Sequence, residues 1–506
     1  MIQKYPVGIQ DFGEIRNNGY LYVDKTQFVY ALTTQGKYYF LSRPRRFGKS
    51  LLISTLECLF LAKKELFKGL FIEDKWDWTQ IYPIIRISFS NIGHKYLGLE
   101  TAIDRRLEEI ARTYEITFST QTIDQKFKEL IETLSNTRGK VVVLIDEYDK
   151  PIIDYLGENT EKAIENRDVM KVFYSVLKDA DPYLKLVFIT GVSKFSRVSI
   201  FSDLNNLDDI TIDYRFAGCC GITEQELDDN FKEEMKVFDK QDIKSWYNGY
   251  SWDLSVSVYN PFSLLNFFNK KKFNNFWFET GTPTFLIKLS KQFHLYDFED
   301  KETNLAHLSS YDIERLELIP LMFQTGYLTF KTYDEEGDMY TLGFPNKEVK
   351  KSYLEVLLNA VLEYPPEQGI VLVNEMRKAL LVGDINKLER ILNSLFKSLP
   401  YELWQRENEH FYHAIIHLTF TLLGVYVQSE VQTSDGRMDA LIRLKDYIYC
   451  IEFKLDESAQ KAIEQIKEKG YLTPFAHQNQ KRIAIGINFS TEKKKVEELK
   501  WEEIEN

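Results

Sequence analysis

Short apolar runs alternate with helical patterns through the first part of the chain. Continuous apolar runs predict strands that are buried on both faces, and helical periodicity fills the segments between them. Strands joined by helices are typical of a parallel sheet covered on both sides. The pattern therefore predicts an α/β domain over residues 1–221, with strands at YYFLS (38–42), PIIRISFS (83–90), KVVVLI (140–145) and KLVFIT (185–190), and helices near 50–62, 121–136 and 162–180.

The pattern changes in the next segment, residues 222–347. Asn260-Pro261 has the form of an N-cap followed by proline at the first helical position, and it predicts a helix through Phe268. The later segment GYLTFKTYDEEGDMYTLGF (326–344) predicts two strands around an acidic turn. A helix followed by such a hairpin indicates a helical, winged-helix-like middle domain. Since its acidic tip would be repelled by phosphates, we interpret this domain as a lid or coupling element and not as a DNA reader.

The last part of the chain divides into a helical connector and a smaller α/β domain. Residues 348–400 have helical periodicity, and residues 401–506 form the predicted C-terminal domain. Within it, VYVQSEVQTSDGRMDALIRLKDYIYCIEFKL (425–455) predicts three strands and two turns, of which the second is centred on Lys445-Asp446.

Composition and charge narrow the functional class. The 506 residues are 44% apolar and 14% aromatic, which is enough for about three packed domains. The N-terminal sequence lacks a signal-peptide pattern and no run of about 18 apolar residues occurs, so we expect a cytoplasmic protein that does not enter a membrane. Four cysteines form no CxxC pair, which disfavours a zinc site or a disulfide framework. The net charge of −12 excludes a general polyanion binder, so nucleic acid would have to meet local basic segments.

RPRRFGKS (43–50) contains the Gly48-Lys49-Ser50 triplet of a phosphate-binding loop. In such loops the backbone N–H groups and the following helix N-terminus bind phosphates, the lysine reaches the outer phosphates, and the hydroxyl binds Mg²⁺. Arg43 stands where the first glycine of the general motif is expected, which weakens the motif. Together with Arg45 and Arg46 it concentrates positive charge beside the phosphates. Either one of the three acts as an arginine finger in cis, or they pair with acidic residues on neighbouring segments.

A second motif supports a nucleotide site. VVVLIDEYDK (141–150) places Asp146 and Glu147 just beyond an apolar strand. At the C-terminal edge of a parallel sheet, such carboxylates face the crevice where ligands bind. We predict that Asp146 binds Mg²⁺, that Glu147 polarises the attacking water, and that Thr190, at the end of the next strand, senses the γ-phosphate. The alternative is a basic turn and an unrelated acidic loop.

The C-terminal segment contains a candidate metal site. A hairpin that is symmetric about Lys445-Asp446 pairs Ile442 with Tyr449 and Asp439 with Glu452, so the two carboxylates lie opposite each other on one face. Opposed carboxylates on a largely apolar face repel each other. A divalent cation between them would remove this repulsion.

The groups around this pair fit phosphodiester chemistry. Asp439, Glu452 and the carbonyl of Phe453 are oxygen ligands of the kind that Mg²⁺ prefers, and Mn²⁺ could replace it. Lys454 lies on the same face and would orient or deprotonate the attacking water. This D…ExK arrangement resembles the metal triad of the PD-(D/E)xK nuclease superfamily. Glu430, on the preceding predicted strand, either supports the metal or is ordinary polar surface.

Several stretches resemble one protein family: GYLYVDKT (19–26), RPRRFGKS, IDEYDKPI (145–152), TGVSKFSRVSIFSDLNNL (190–207) and YNGYSWD (247–253). They resemble the bacterial AAA-ATPase-like proteins that carry a C-terminal nuclease-like domain, and the resemblance covers nearly the whole chain. It implies a P-loop NTPase sheet, ATP with Mg²⁺ as the cofactors, and a loop with arginine in the place of the first glycine. For the loop it implies nucleotide binding by Arg43, Pro44, Arg45, Arg46, Phe47, Gly48, Lys49, Ser50 and Leu51.

The same resemblance extends the nuclease-like site. ENEHFYHAII (407–416) resembles the leading helix of that domain, in which Glu409 would be an outer acid. IEQIKEKGY (463–471) resembles the trailing helix, with Gln465 near the site. Each of these two residues could instead be ordinary polar surface.

Two functions are consistent with these observations. The first is an ATP-gated, Mg²⁺-dependent nuclease that acts on nucleic acid, with DNA as the expected substrate. The second is a nucleotide-dependent switch or partner-binding protein whose C-terminal domain grips nucleic acid without cutting it. The D…ExK residues favour cutting, and a homo-oligomer is compatible with either function.

Overall fold

The chain folds into two compact units. The computed structural model describes residues 3–194, 200–201, 204, 206–278, 284–309, 313, 316–362, 368–397, 409–427 and 440–504. The first unit contains Met1–Phe285 and Phe298–Val349, and the second contains Leu286–Asp297 and Lys350–Asn506. The finer division into domains at 221, 347 and 400 stays a prediction.

A parallel sheet forms the centre of the first unit. Its strands are β1 (Tyr38–Ser42), β2 (Ile84–Ser88), β3 (Val141–Asp146), β4 (Leu184–Gly191) and β5 (Asp208–Asp209), in the spatial order β2-β3-β4-β1-β5. Each neighbouring pair is parallel. The side chains of β1 and β3 are buried along their whole length, as expected for strands covered on both faces. The α/β class and the predicted strands are confirmed, and the short edge strand β5 adds to them.

Helices flank this sheet. They are α1 (Phe12–Asn17), α2 (Thr26–Thr34), α3 (Lys49–Phe60), α4 (His94–Leu97), α5 (Leu99–Thr113), α6 (Ile123–Arg138), α7 (Lys150–Ile153) and α8 (Thr160–Asp179). Helices α1 and α2 pack against α3, whereas α5, α6 and α8 pack against one another. The predicted helices near 50–62, 121–136 and 162–180 correspond to α3, α6 and α8.

The rest of the first unit combines short helices with two small sheets, one of two strands and one of three. Its elements are β6 (Ile222–Thr223), α9 (Glu224–Asn230), α10 (Lys240–Tyr247), β7 (Val258–Tyr259), α11 (Pro261–Lys270), α12 (Thr284–Gln292, which continues in the second unit), β8 (Lys301–Thr303), α13 (Leu305–Ser309), α14 (Leu318–Thr325), β9 (Thr329–Asp334) and β10 (Met339–Gly343). The predicted N-cap is confirmed, because the Asn260 side chain accepts a hydrogen bond of 3.0 Å from the backbone N–H of Ser263. The predicted hairpin is β9 and β10, and β8 pairs with β10 as a third strand.

The second unit contains a helical segment and a mixed sheet. The elements are α15 (Lys347–Leu362, which begins in the first unit), α16 (Gln368–Leu381), α17 (Ile385–Lys397), α18 (Glu409–Val427), β11 (Ala440–Arg443), β12 (Tyr447–Leu455), α19 (Ala459–Glu468), β13 (Lys481–Ser490) and β14 (Lys495–Glu503). The sheet order is β11-β12-β13-β14, with β12 and β13 parallel and the outer pairs antiparallel. No helix within the described ranges is long and apolar enough to cross a membrane.

The register of the β11–β12 hairpin agrees with the sequence prediction. Ile442 lies opposite Tyr449, and the backbone N–H of Leu444 donates to the carbonyl of Tyr447. The face that includes Leu441 is buried against α19. Asp439, predicted to lie opposite Glu452, is outside the described residues.

The first of the three strands predicted over 425–455 is wrong at its beginning. Val425–Val427 are the last residues of α18 and not the start of a strand. The apolar sequence before them continues the helix, and a short apolar run by itself does not distinguish a helix end from a buried strand. Residues 428–439 lie outside the described part of the chain.

Gly486 allows a close approach between α19 and β13. A Cβ atom at this position would lie 2.1 Å from the carbonyl oxygen of Ala459 and 3.0 Å from the Cβ of Ala462. We expect Gly486→Ala to lower the stability of the second unit by about 1–3 kcal/mol, because the helix must move away from the sheet. Calorimetric unfolding measures the effect, with Lys481→Ala at the exposed start of the same strand as the control. An unchanged melting temperature would mean that the helix does not pack this closely.

Candidate functional site

The segment between β1 and α3 forms a tight loop around the Lys49 side chain. Arg46 and Gly48 have positive φ angles of 68° and 96°, and α3 begins at Lys49. The Lys49 ammonium donates hydrogen bonds to the carbonyls of Arg43 (2.9 Å) and Pro44 (3.1 Å). Burial lowers the pKa of Lys49, and three nearby carboxylates, Asp146 foremost, oppose this shift. The loop therefore holds a buried cation above the start of a helix.

A cavity of about 960 Å³ opens in front of this loop. It is large enough for a small-molecule ligand, since such pockets typically measure about 300–1,000 Å³. The predicted site residues that line it are Arg45, Arg46, Gly48, Lys49, Ser50, Leu51, Asp146 and Glu147. The cavity also contacts the N-terminal segment 6–10 and Phe262 of α11, which the sequence analysis did not single out. The guanidinium of Arg46 lies 4.8 Å from the centre of the Phe262 ring.

The acidic side of the cavity is built at the ends of β3 and β4. Thr190 donates a hydrogen bond of 2.7 Å to Oδ1 of Asp146, so it contacts the carboxylate predicted to bind metal. Glu147 has a φ of 52°, a left-handed conformation that is uncommon outside glycine and is found at functional sites. Burial raises the pKa of Glu147, and Lys49 opposes that rise. A buried carboxylate beside a cation can accept a proton or a hydrogen bond from a bound water.

Asp149 joins the two strand ends. Its Oδ2 accepts hydrogen bonds from the backbone N–H groups of Val192 (2.9 Å) and Ser193 (2.7 Å) and from the hydroxyl of Ser193 (2.7 Å). Lys194 pairs with Asp209 at 3.0 Å. Ser193 and Lys194 are therefore engaged in holding the segment that follows β4. The sequence signal for Asp149 was its place in IDEYDK, but its hydrogen-bond partners lie more than forty residues away along the chain.

Arg43 is packed into the protein and is not part of the cavity lining. Its guanidinium donates to the carbonyls of Ser42 (2.9 Å) and Thr211 (2.6 Å) and lies 4.1 Å from the centre of the Trp252 ring. It is fully buried, so carbonyls and an aromatic face replace the phosphates or carboxylates that the sequence suggested as its partners. Pro44 and Phe47 are also buried and lie outside the lining. Of the three arginines in the loop, Arg45 and Arg46 line the cavity.

Three residues of the second candidate site meet between β12 and α19. The ammonium of Lys454 donates to Oε1 of Gln465 at 2.6 Å and to Oε1 of Glu452 at 3.4 Å. The side-chain amide of Gln465 also donates to Oε1 of Glu452. Glu452 is only 4% exposed, so these contacts hold a carboxylate and a cation in a largely buried position.

The other predicted residues of this site are less completely described. Phe453 lies on β12, and the centre of its ring is 5.3 Å from the centre of the Phe420 ring of α18. Glu409 begins α18, although its side chain is not described, and Asp439 and Glu430 lie outside the described residues.

Comparison with known proteins agrees with both halves of this arrangement. A family model described as a predicted AAA-ATPase matches residues 6–201, and a model of the PD-(D/E)XK nuclease superfamily matches residues 407–499. The chain is 40% identical over 510 residues to an "Uncharacterized protein in vnfD 5'region" of Azotobacter chroococcum mcd 1, and the match covers 98% of both chains. The chain belongs to the predicted AAA-ATPase family. No solved structure matches it.

The AAA-ATPase-like domain has a donor set that fits Mg²⁺. Ser50 and Asp146 both line the cavity and offer a hydroxyl and a carboxylate, the hard oxygen ligands that this ion prefers. Within the described ranges, no group of three or more His, Cys, Asp or Glu side chains could hold a metal ion. A nucleotide site does not need one, because Mg²⁺ usually binds one or two protein ligands together with phosphates and waters.

Proposed function

We propose that this AAA-ATPase-like protein binds and hydrolyses ATP, and that the state of the ATP site controls a Mg²⁺-dependent nuclease site in its PD-(D/E)XK domain. The observation that carries the proposal is the single cavity lined by Lys49, Asp146 and Glu147. A cation, a metal-binding carboxylate and a second acid facing one space are the groups that phosphoryl transfer to water requires. The Glu452–Lys454–Gln465 contacts support the nuclease half of the proposal.

At the ATP site each side chain has a distinct role. Lys49 leaves the loop carbonyls and binds the outer phosphates, while Glu147 accepts a hydrogen bond from the attacking water. Arg45 lines the cavity and its positive charge opposes the rise in the pKa of Glu147, so we assign it to the stabilisation of charge on the γ-phosphate. Mg²⁺ held by Ser50 and Asp146 would neutralise part of the phosphate charge.

At the nuclease site the residues divide between metal binding and water activation. Asp439, Glu452 and the carbonyl of Phe453 would hold Mg²⁺ or Mn²⁺, which would polarise the scissile phosphate. Lys454 orients the attacking water, and its hydrogen bond to Gln465 fixes the ammonium in place.

Digestion of linear DNA tests the function as a whole. We expect cleavage with Mg²⁺ or Mn²⁺ that differs between reactions with and without ATP, with RNA as a second substrate. Equal cleavage rates in every nucleotide state would show that the two domains are merely tethered. Binding of nucleic acid without cleavage would instead support a nucleotide-dependent switch.

Removal of the Lys49 ammonium tests the ATP site alone. Hydrogen bonds to charged groups contribute about 1.5–3 kcal/mol, so Lys49→Ala should weaken ATP binding by about ten- to a hundred-fold. Calorimetric titration with ATP and Mg²⁺ measures this effect, and Lys64→Ala, at an exposed position beyond the end of α3, is the control. Wild-type affinity in the Lys49 variant would contradict this role.

A further inference from the structure

The segment YNGYSWD (247–253) packs against Phe47 of the phosphate loop, residues 43–50. The Phe47 ring packs against Tyr250 at 4.7 Å and against Trp252 at 5.5 Å, with interplanar angles of 77° and 87°. Of the loop residues, Arg45, Arg46, Gly48, Lys49 and Ser50 line the cavity, whereas Phe47 does not. A segment more than two hundred residues further along the chain therefore holds the loop in place through the Phe47 ring.

A third aromatic residue, Trp277, is hydrogen-bonded to the loop backbone. The indole N–H of Trp277 donates a hydrogen bond of 2.9 Å to the carbonyl of Arg45. Beside it, Gly326 approaches Pro44 so closely that an added Cβ would lie 2.4 Å from the proline Cγ. The general motif has glycine at the first position of the loop, where this chain has Arg43. Here the contacts of Trp277 with Arg45 and of Gly326 with Pro44 hold the loop backbone.

Trp277 also contacts the beginning of a long helix. Its backbone N–H donates a hydrogen bond of 2.7 Å to Oε1 of Glu348. Glu348 is in the first turn of α15 and is fully buried. A buried carboxylate is costly unless hydrogen bonds stabilise it, so this contact fixes the position of the helix start. Helix α15 begins in the first unit, and from Lys350 its residues belong to the second unit.

Hydrogen bonds and short stretches of covalent chain together connect Lys49 to the start of α15. The Lys49 ammonium gives two of its three N–H donors to the carbonyls of Arg43 and Pro44, so a phosphate that draws the ammonium into the cavity also acts on this backbone. The next carbonyl in the chain, that of Arg45, is the one held by Trp277. A change in the loop backbone therefore acts on a rigid side chain whose own N–H is bonded to α15.

We propose that Trp277 is a positioning residue of the phosphate loop, and that its hydrogen bond to Glu348 passes the nucleotide state of the loop to α15. The proposal rests on the proposed binding of ATP at this loop. It adds the contacts through which that binding would affect α15. It also gives the YNGYSWD segment a physical role, as the support against which the loop moves.

Hydrogen exchange of the α15 amides, with and without saturating ATP and Mg²⁺, tests this proposal. We expect ATP to change exchange in residues 347–362 of the wild-type protein. Trp277→Phe keeps an aromatic ring and the backbone N–H but removes the indole N–H donor. It should raise the KM for ATP by about two- to ten-fold, with a smaller change in kcat, and abolish the ATP response of α15. Trp501→Phe, at a half-exposed tryptophan of β14, is the matched control.

Two variants of Glu348 separate the transmission step from the folding of the loop. Glu348→Gln keeps an oxygen that accepts the Trp277 N–H and should retain the α15 response, whereas Glu348→Ala should lose it. An ATP response that is equal in the wild type, Trp277→Phe and Glu348→Ala overturns the proposal. An absent response in a wild-type protein that binds ATP by calorimetry overturns it as well and leaves the ATP site intact. Failure of the wild type to bind ATP at all refutes the proposed function itself.

Discussion

Glu147→Gln should lower the rate of ATP hydrolysis by about 10²–10⁴-fold, the range typical for loss of general acid–base catalysis. Glutamine preserves the size of the side chain but can no longer take a proton from the attacking water. Lys49 and Ser50 are unchanged, so ATP should still bind with near wild-type affinity. The variant therefore separates the chemical step from binding, and phosphate release together with calorimetric titration measures both.

The pH profile of the same reaction gives an independent check. Burial raises the pKa of Glu147 above its usual value, and only the ionised form can act as a base. The wild-type rate should thus fall as the pH falls through that raised pKa, and Glu147→Gln should lose this acidic limb. Glu109→Gln, on another part of the cavity wall, serves as the control. Unchanged phosphate release in Glu147→Gln would transfer the water-positioning role to Asp149.

Glu452→Gln should reduce nucleic-acid cleavage by at least about 100-fold, because it neutralises a proposed metal ligand and weakens the acceptor for Lys454 and Gln465. Its size is unchanged, so the fold of the second unit should persist. Glu502→Gln on β14, whose carboxylate pairs with Lys467 at the surface, is the matched control. Gel electrophoresis of linear DNA measures the rate.

A test of metal binding at the proposed nuclease site requires a protein whose proposed ATP site no longer binds Mg²⁺ or Mn²⁺. In a Ser50→Ala, Asp146→Asn protein without nucleotide, Mn²⁺ should raise the melting temperature, because a ligand that binds only the folded state stabilises it. Glu452→Gln, and likewise Asp439→Asn, should reduce this rise. Equal stabilisation in all three proteins would exclude a shared metal between the two acids.

The strands and the hairpin register were predictable because local pattern decides them. The run VVVLI (141–145) is apolar throughout, as a parallel strand buried on both faces requires. The turn at Lys445-Asp446 is symmetric, so pairing Ile442 with Tyr449 follows from counting along two strands. The strand predicted at the beginning of 425–455 was wrong, because a short apolar run at the end of a helix has no periodicity that distinguishes it from a strand.

The roles of Arg43 and Asp149 could not be predicted from their own segments. The carbonyl of Thr211 and the ring of Trp252 meet Arg43 only after the chain has folded, and the loop motif itself suggests a phosphate as partner. Asp149 follows two acids, Asp146 and Glu147, for which the motif predicts roles, whereas its three hydrogen bonds come from the segment after β4. The candidate residues of a site can therefore be read from motifs, but the supports that hold them depend on tertiary contacts.

The two hydrogen bonds that Lys49 makes to the carbonyls of Arg43 and Pro44 act as an internal competitor for ATP. Any nucleotide must offer the ammonium more than these carbonyls do before the lysine changes partners. ATP has an outer phosphate with high negative charge to offer, whereas ADP presents one phosphate fewer and AMP two fewer. Giving up these hydrogen bonds costs the same free energy for every nucleotide, and only a phosphate that reaches the ammonium offsets that cost, by about 1.5–3 kcal/mol for each hydrogen bond to the charged group. If ATP binds at this loop as we propose, we expect the triphosphate to bind more tightly than ADP or AMP, and the return of Lys49 to its own backbone would favour product release.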